Sequence, residues 1–302
     1  MTLEQLRIFV AVAERQHVTR AAEALNLTQS AVSAAISALE NRHAVSLFDR
    51  VGRRIELTEA GRLFLGEAKA LLARAADAET VLADLAGLKT GSLAISASQT
   101  IASYWLPVHL AAFRRRHPEV SLHVRIGNTA QVAHSLIEGE TQLGFVEGQV
   151  DEPALTGTTV GTDRLVLIVA PDHPWAGRGR VEPADIAASD WVLREQGSGT
   201  RSEFEADLAR AGVDLKALRI AMELPSNEAV RAAVEAGLGA SAISGIVVES
   251  GIRAGSLAPV AFPLSSRSFR VLHHRQRKVS RAAEAFLACI DAADGRDTES
   301  RT

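Results

Sequence analysis

Between Thr58 and Leu88 lie 31 residues without a proline, rich in alanine, leucine, glutamate and arginine. Phe64, Ala68, Leu71, Ala75, Ala78, Leu82 and Leu85 follow one another at alternating spacings of four and three, an a/d seam of about three heptads. The pattern predicts one long helix, about 46 Å at ~1.5 Å per residue. It parts a short N-terminal segment from a long C-terminal one, and 302 residues at ~150 per domain agree with two domains. The seam either packs on its own domain or pairs with a second helix. Small alanines at alternate seam positions, and the helix's place between two domains, favour pairing.

Before that helix, Thr2 and Gln5 form a capping-box pattern, and Leu3, Leu6, Val10 and Ala13 continue at helical spacing. Thr19 opens a second short helix, and Thr28 is a good cap for a third that carries Val32, Ile36 and Leu39 on one face. Short helices with Ala21, Ala22 and Ala24 at their junction fit either a helix-turn-helix or a small helical subdomain with alanine as filler. Leu47 to Arg50 and Arg54 to Leu57 then flank Val51-Gly52-Arg53, giving a hairpin or wing with glycine in the turn. Net charge is only −3, but Arg42, Arg50, Arg53 and Arg54 face Asp49 alone over this stretch, a local charge of about +3. That concentration favours DNA.

After the helix, strand-like runs (Leu93–Ala97, Ser121–Ile126, Leu143–Val146, Leu165–Ala170, Trp191–Arg194, Arg219–Glu223, Ala240–Ile243, Ser268–His273) alternate with helical patterns, predicting an α/β domain with largely parallel sheets. Ligands of such sheets sit beyond the carboxyl ends of the strands. The turns there hold Ser96, Ser98, Gln99 and Thr100; Asn128; Gly197, Ser198, Gly199 and Thr200; and Ser226 with Asn227. Each turn alone could be ordinary helix capping. Four together predict a small polar cleft for a compact anion or polar metabolite, since helix starts offer free N–H groups and a positive dipole end.

Other classes are weakly supported. Hydrophobic residues make up 47% and charged residues 23%, unlike a disordered chain. No apolar run approaches the ~20 residues that span a bilayer, and the first residues carry no secretory pattern, so a cytoplasmic location is expected. Cys289 is the single cysteine, excluding an internal disulfide and a multi-cysteine zinc site; its place between Leu287 and Ile290 suits a packed thiol. Gly197 to Thr200 lacks the Gly-Lys-Ser/Thr ending of a P-loop, Ser241 misses the second glycine of a nucleophile elbow, and no paired His spacing suits a metal. An enzyme is therefore not expected, nor any cofactor.

With these residues in view, the run from Leu3 to Gly61, LRIFVAVAERQHVTRAAEALNLTQSAVSAAISALE and LFDRVGRRIELTEAG, resembles the winged helix-turn-helix of LysR-type transcriptional regulators. The rest is similar to that family's effector domain, in SLAISAS, FRRRHPEV, REQGSGTR and SNEAVRAAVEAGLGASAIS. The resemblance implies a winged helix-turn-helix over 1–58, a linker and dimerisation helix over 59–89, an α/β two-subdomain effector domain of periplasmic-binding-protein type over 90–295, and a disordered tail over 296–302. It divides the effector domain into 91–161 with 266–295 and 162–265, with crossovers near Gly161 and Ser265.

It also implies a recognition helix from Thr28 to Asn41 in the major groove, with Thr28, Gln29, Ser30 and Ser33 on its base-facing side. Gln29 would read adenine, while Arg50, Arg53 and Arg54 would hold the backbone and minor groove. Many members carry arginine and glutamine after the position of Ser33; Ala34 and Ala35 stand here, leaving more to Gln29, the wing and DNA shape. The implied partners are promoter DNA, a small anionic effector and further copies of the chain, as a dimer or tetramer. The GSGTR turn resembles that of sulfur-metabolism and carbon-fixation regulators. A solute-binding protein would share the C-terminal two-thirds, but the fused arginine-bearing N-terminal part argues against it.

Overall fold

A computed structural model of the protein describes residues 1–51, 54–85 and 91–299. Two units separate, Met1–Leu85 with Glu138–Glu140, and Ala86–Ile137 with Thr141–Thr302. In the first, local caps fix each helix. α1 (Leu3–Arg15) starts in the expected box, with the Gln5 N–H donating to the Thr2 hydroxyl and the Thr2 N–H to the Gln5 amide oxygen. α2 (Val18–Leu25) begins one residue before Thr19, because the His17 ring accepts from the Arg20 N–H and acts as the cap. α3 (Gln29–His43) is capped by Thr28, whose hydroxyl accepts from the Ala31 N–H at 3.2 Å. The helices end at Gln16, Asn26 and Ala44, all left-handed, with φ of 48°, 54° and 50°. Abrupt left-handed stops keep the helices short and let them cross closely.

β1 (Phe48–Val51) and β2 (Arg54–Leu57) pair antiparallel in the register Phe48↔Leu57. The Glu40 carboxylate accepts from the Leu47 and Phe48 N–H groups at 2.7 and 3.1 Å, tying this hairpin to α3. α4 (Glu59–Leu85) follows directly. Gly61 is required at its start: a Cβ there would lie 2.1 Å from the Leu47 carbonyl oxygen.

Phe9 is the centre of this unit, fully buried with its ring 5.3 Å from Phe48 and 5.0 Å from Phe64. Leu6, Val12, Ala21, Ala22, Val32, Ile36 and Leu39 complete the core. The seam of α4 is thereby divided. Phe64 and Ala68 pack into this core, whereas Leu71 and Leu82 keep 43% and 67% of their surface exposed.

The second unit runs β3 (Gly91–Ser98), a π-helical turn (Ile101–Trp105), α5 (Leu106–Arg116), β4 (Val120–Gly127), α6 (Thr129–Ile137), β5 (Leu143–Glu147) and β6 (Leu155–Val169). It continues with α7 (Pro183–Ile186), β7 (Asp190–Arg194), α8 (Gly199–Arg210), a 3-10 turn (Leu215–Ala217), β8 (Arg219–Leu224), α9 (Asn227–Glu235) and β9 (Ser241–Ser244). α10 (Gly245–Ala254), β10 (Ala258–Val260), β11 (Ser266–His274) and α11 (Arg281–Glu299) complete it.

Two sheet sections share one strand. In the order β6-β11-β5-β3-β4, β3 is parallel to β4 and β5, while β11 runs antiparallel to β5 and β6. β6 pairs with β11 as far as Arg164 and from Leu165 with β9 and, further on, β10, so the chain changes section between Arg164 and Leu165. β7 bridges through Trp191 to Ala240, the residue before β9, and is parallel to β8. Phe113, Phe145, Phe269 and Phe286 fill the first section's core; Trp175, Trp191 and Phe204 fill the second's.

The sequence pattern opens this strand only at Leu165; it begins ten residues earlier. The run from Leu155 to Asp163 carries Gly157, Gly161 and four threonines and shows no apolar strand pattern, yet β11 pairs along it, with one register shift that leaves Val160 unpaired opposite Phe269 and Arg270. Gly157 is needed there, since the Val271 carbonyl oxygen would stand 2.0 Å from any Cβ. Pairing overrides propensity.

Truncating Phe9 to alanine should cost ~3–5 kcal/mol, as for other buried aromatics. Denaturant unfolding of the variant, with a preserved slope, is the check; a loss under 1 kcal/mol would contradict its central place.

Candidate ligand cleft and nucleic-acid interface

The N-terminal turn of α3 presents a small polar face. Thr28, Gln29 and Ser30 are exposed and Ser33 is half-buried, followed along the helix by exposed Ala34, Ser37 and Ala38. Thr28 spends its hydroxyl on the cap and lies 3.0 Å from the Ser30 hydroxyl, so these two are mutually engaged while Gln29 extends beyond them as the longest side chain of the turn. Arg50 and Arg54 belong to β1 and β2, with side chains outside the described set, and Arg53 lies outside the described residues.

The second site forms where both sheet sections end. Parallel strands β3, β4, β7 and β8 deliver their carboxyl ends to the π-helical turn and to the starts of α6, α8 and α9, the position at which such sheets hold ligands. Hydrogen bonds join the two sections on both flanks. On one, the Ala130 N–H donates to the Gly197 carbonyl at 3.1 Å and the Asn128 amide to a Glu195 carboxylate oxygen at 3.1 Å. On the other, the Asn227 N–H donates to the Gln99 side-chain oxygen at 2.7 Å, and the Asn227 amide to the Thr100 hydroxyl at 3.0 Å. Close approach needs glycine: Gly197 is left-handed at φ 85°, and a Cβ on Gly199 would lie 2.5 Å from the Thr129 hydroxyl.

Two buried arginines line the space between. Arg267, on β11, forks onto Asp163 of β6 with Nε and Nη2 at 2.9 and 2.7 Å, and donates to the hydroxyls of Thr200 at 2.9 Å and Thr100 at 3.4 Å. The other oxygen of Asp163 accepts from Ser244 at 3.0 Å. Arg194 pairs with Glu195 through Nε and Nη2 at 2.8 and 3.0 Å and donates to the Asn227 side-chain oxygen. Burial alone would raise the Glu195 carboxyl, but the Arg194 hydrogen bonds and charge, with the Asn128 amide, hold it below the usual carboxylate range.

The residues read from the turns therefore divide. Ser98, Gln99, Thr100, Asn128, Gly197, Gly199, Thr200 and Asn227 come together at the junction of the two sections. The hydroxyl of Ser98 is buried without a hydrogen-bond partner, as are those of Thr129 and of Ser241 at the start of β9. Strand alternation puts Ser98 on the same face of β3 as Ser96, two residues nearer the strand end. Asn128 is largely occupied, capping α6 through the Gln131 N–H at 3.0 Å besides its bond to Glu195. Ser198 is buried ahead of α8, makes no side-chain cap bond there, and its carbonyl accepts from Ser202.

Two expected ligand residues have other work. Ser96 closes a buried trio with Ser135 and Thr141 at 2.8 and 3.0 Å, behind the strand end. Ser226 caps α9 through the Ala229 N–H and donates to Glu228. Arg194, Asp163 and Arg267 are absent from the sequence reading of the site, while Thr129 and Glu195 lie in its polar turns without being singled out as ligand residues. Thr129 adjoins the Gly127-Asn128 turn and was within reach of sequence reading. Nothing in the sequence marks Arg267, a cation in a strand whose burial depends on a partner 104 residues away. Among the described residues no group of His, Cys, Asp or Glu could hold a metal ion, and no helix is long and apolar enough to cross a membrane.

Comparison with known proteins gives this geometry a context. Residues 3–62 match the family model of the bacterial regulatory helix-turn-helix protein, lysR family, and residues 86–294 match the LysR substrate binding domain. The uncharacterized HTH-type transcriptional regulator YeiE of Escherichia coli (strain K12) is 38% identical over 296 residues, 97% of this chain and 98% of that one. The RuBisCO operon transcriptional regulator of Allochromatium vinosum is 34% identical over 289 residues, 95% and 94% of the two chains. Among solved structures, the regulatory domain of CcmR from Synechocystis PCC6803, in complex with 2-PG, is similar with a TM-score of 0.61 and 26% identity, covering 68% of this chain and 97% of that one.

The depressed carboxyl has a consequence for stability. A group lowered on folding stabilises the protein above its ordinary pKa and loses that contribution as the pH falls through the lowered value. The gap in unfolding free energy between the parent and Glu195→Gln should be constant above about pH 5 and shrink below the ordinary carboxylate pKa of about 4.3. Chemical denaturation from pH 7 to pH 3 measures it; a gap that widens on acidification would contradict the Arg194–Glu195 assignment.

Proposed function

The chain belongs to the LysR family of DNA-binding transcriptional regulators, and we propose that it acts in the cytoplasm as a homodimer or homotetramer whose promoter complex responds to a small anionic metabolite held between the two sheet sections of its effector domain. The observation that carries the ligand assignment is that two of the three buried, unpartnered hydroxyls among the described residues, Ser98 and Thr129, stand at the end of β3 and the start of α6, the third being Ser241 at the start of β9. A buried hydroxyl without a partner costs free energy that a bound oxyanion recovers. The complex of CcmR with 2-PG, and relatives named for the RuBisCO operon, favour a small acid of carbon metabolism over a large or apolar ligand. A ligand shifts the regulator only by binding one arrangement of the two sections better than another.

On the DNA side, the exposed start of α3 supports major-groove readout centred on Gln29, with Ser30 and Ser33 beside it and Arg50, Arg53 and Arg54 holding the backbone. Leu71 and Leu82, exposed on α4, are suited to the partner helix of a second copy.

Two measurements test this reading. A thermal-unfolding screen against sulfate, sulfite, phosphate, carboxylates and sugar phosphates should find a ligand that stabilises the protein by ~2.7 kcal/mol at 100 times its Kd, an effect lost in Ser98→Ala. A stabilisation that survives Ser98→Ala would move the ligand elsewhere. Gln29→Ala should cost ~1–3 kcal/mol at one operator position. Equal losses on operator and random DNA in a binding titration would remove Gln29 as a base reader.

A further inference from the structure

The two flanks that close the space between the sheet sections are built differently. On the Asn128 flank, main chain lies on main chain. The Ala130 N–H reaches the Gly197 carbonyl, and the Asn128 amide also lies 3.4 Å from the Gln196 carbonyl oxygen. Gly199 approaches so closely that a Cβ there would stand 2.7 Å from the Glu147 carbonyl oxygen. Nothing on that side swings away without moving backbone. On the Gln99 flank every described link uses a side chain of the first section, and the links are graded from water inwards. Outermost, the Tyr104 hydroxyl donates to a Glu228 carboxylate oxygen at 3.2 Å, with 41% of the tyrosine exposed. Next, the Gln99 amide clasps the backbone of 225–227, donating to the Pro225 carbonyl at 3.4 Å and accepting from the Asn227 N–H at 2.7 Å. Innermost, the Asn227 amide donates to the Thr100 hydroxyl, and both residues are fully buried.

Tyr104 is carried by the π-helical turn, a widened turn of a kind that recurs at functional sites. The turn is anchored at both ends. Ile101 is fully buried, and the Trp105 ring packs 5.9 Å from Phe145 and 6.2 Å from Phe269. The phenol is therefore free to rotate outwards while the turn stays in place. Opposite it, Glu228 stands in the first turn of α9, where the helix dipole favours its charge, and its other oxygen accepts from the Ser226 hydroxyl at 3.1 Å. Burial, and after it the charge and hydrogen bond of Glu228, push the phenol above its ordinary pKa, which keeps it a donor. We propose that Tyr104, with Gln99 behind it, is the gate of the ligand cleft: the effector enters and leaves between the π-helical turn and the start of α9, while the Asn128 flank stays shut. The inference rests on the cleft proposed above and adds its route of access. Opening this side first breaks one solvent-exposed hydrogen bond, the kind that local fluctuations break most readily. Opening the other side parts two backbones.

The test needs no ligand. Ser98→Cys places a thiol at the buried end of β3, and its rate of reaction with methyl methanethiosulfonate in the full-length protein reads access to the cleft. The parent protein, with its buried Cys289, is the blank. Tyr104→Phe, which removes only the hydroxyl, should raise the rate several-fold, and Glu228→Ala should match it. Asn128→Ser, which still caps α6 but no longer reaches Glu195, should leave the rate within about two-fold. A rate unchanged by Tyr104→Phe, or raised by Asn128→Ser alone, would overturn the proposal. So would rates that merely follow each variant's loss of unfolding free energy, the mark of a purely structural role. Tyr104 is the single tyrosine, so fluorotyrosine labelling gives a second reading that does not depend on how Ser98→Cys folds. Its fluorine resonance should exchange between two environments in the parent and keep only the solvent-like one in Glu228→Ala. A single resonance unmoved by Glu228→Ala would overturn the gate. The thermal-unfolding screen decides the ligand reading by itself, so the gate can fail with the cleft intact.

Discussion

The pair Arg267–Asp163 is the contact on which the effector domain most depends. Its members sit on β6, the strand that both sheet sections share, and on β11 beside it, and both are almost wholly buried. Removing two charges from water is expensive, and the attraction between them offsets the penalty only if every remaining donor and acceptor is matched. Here it nearly is: Nε and Nη2 reach Asp163, Nη1 reaches Thr200, and the free oxygen of Asp163 receives Ser244. One guanidinium thereby connects a strand of each crossover with the starts of two ligand-facing elements. An apolar pair of equal volume would pack as well, but it would leave the orientation of the surrounding hydroxyls undetermined.

The first unit achieves its arrangement by different means. Three short helices with left-handed stops leave little length for their own packing, so the aromatic cluster of Phe9, Phe48 and Phe64 draws on α1, the hairpin and α4 at once. α4 gives its first turns to that cluster and keeps its later apolar side chains outside it. A single helix thus belongs to a core at one end and offers a seam at the other, which explains why heptad spacing and helix-turn-helix packing coexist in the same residues.

Much of this was legible in the sequence because it is local. Capping at Thr2 and Thr28, the strand pair Phe48–Val51 with Arg54–Leu57 and the proline-free helix each depend on residues a few positions apart. Polar turns after strands were legible for the same reason, although Ser96 and Ser226 show the limit: a hydroxyl beside a strand end or helix start can serve a buried trio or a cap equally well. The first ten residues of β6 were not legible, since glycine and threonine there make no apolar strand pattern until β11 is laid alongside. Arg267 and Arg194 were not legible either, because a cation in a strand acquires meaning only from a carboxylate and hydroxyls brought to it by the fold.

β6 passes through both sections as one uninterrupted strand, with β11 antiparallel to its first ten residues. An unbroken strand is stiff along its length and soft in twist. The two halves of the domain therefore share a torsion rod: sliding apart or separating would tear a ladder, whereas a small twist about the strand would leave it paired. A group seated between the two halves therefore meets a frame in which twist is the soft coordinate, and twist needs no long-range chain of contacts to be passed along the strand.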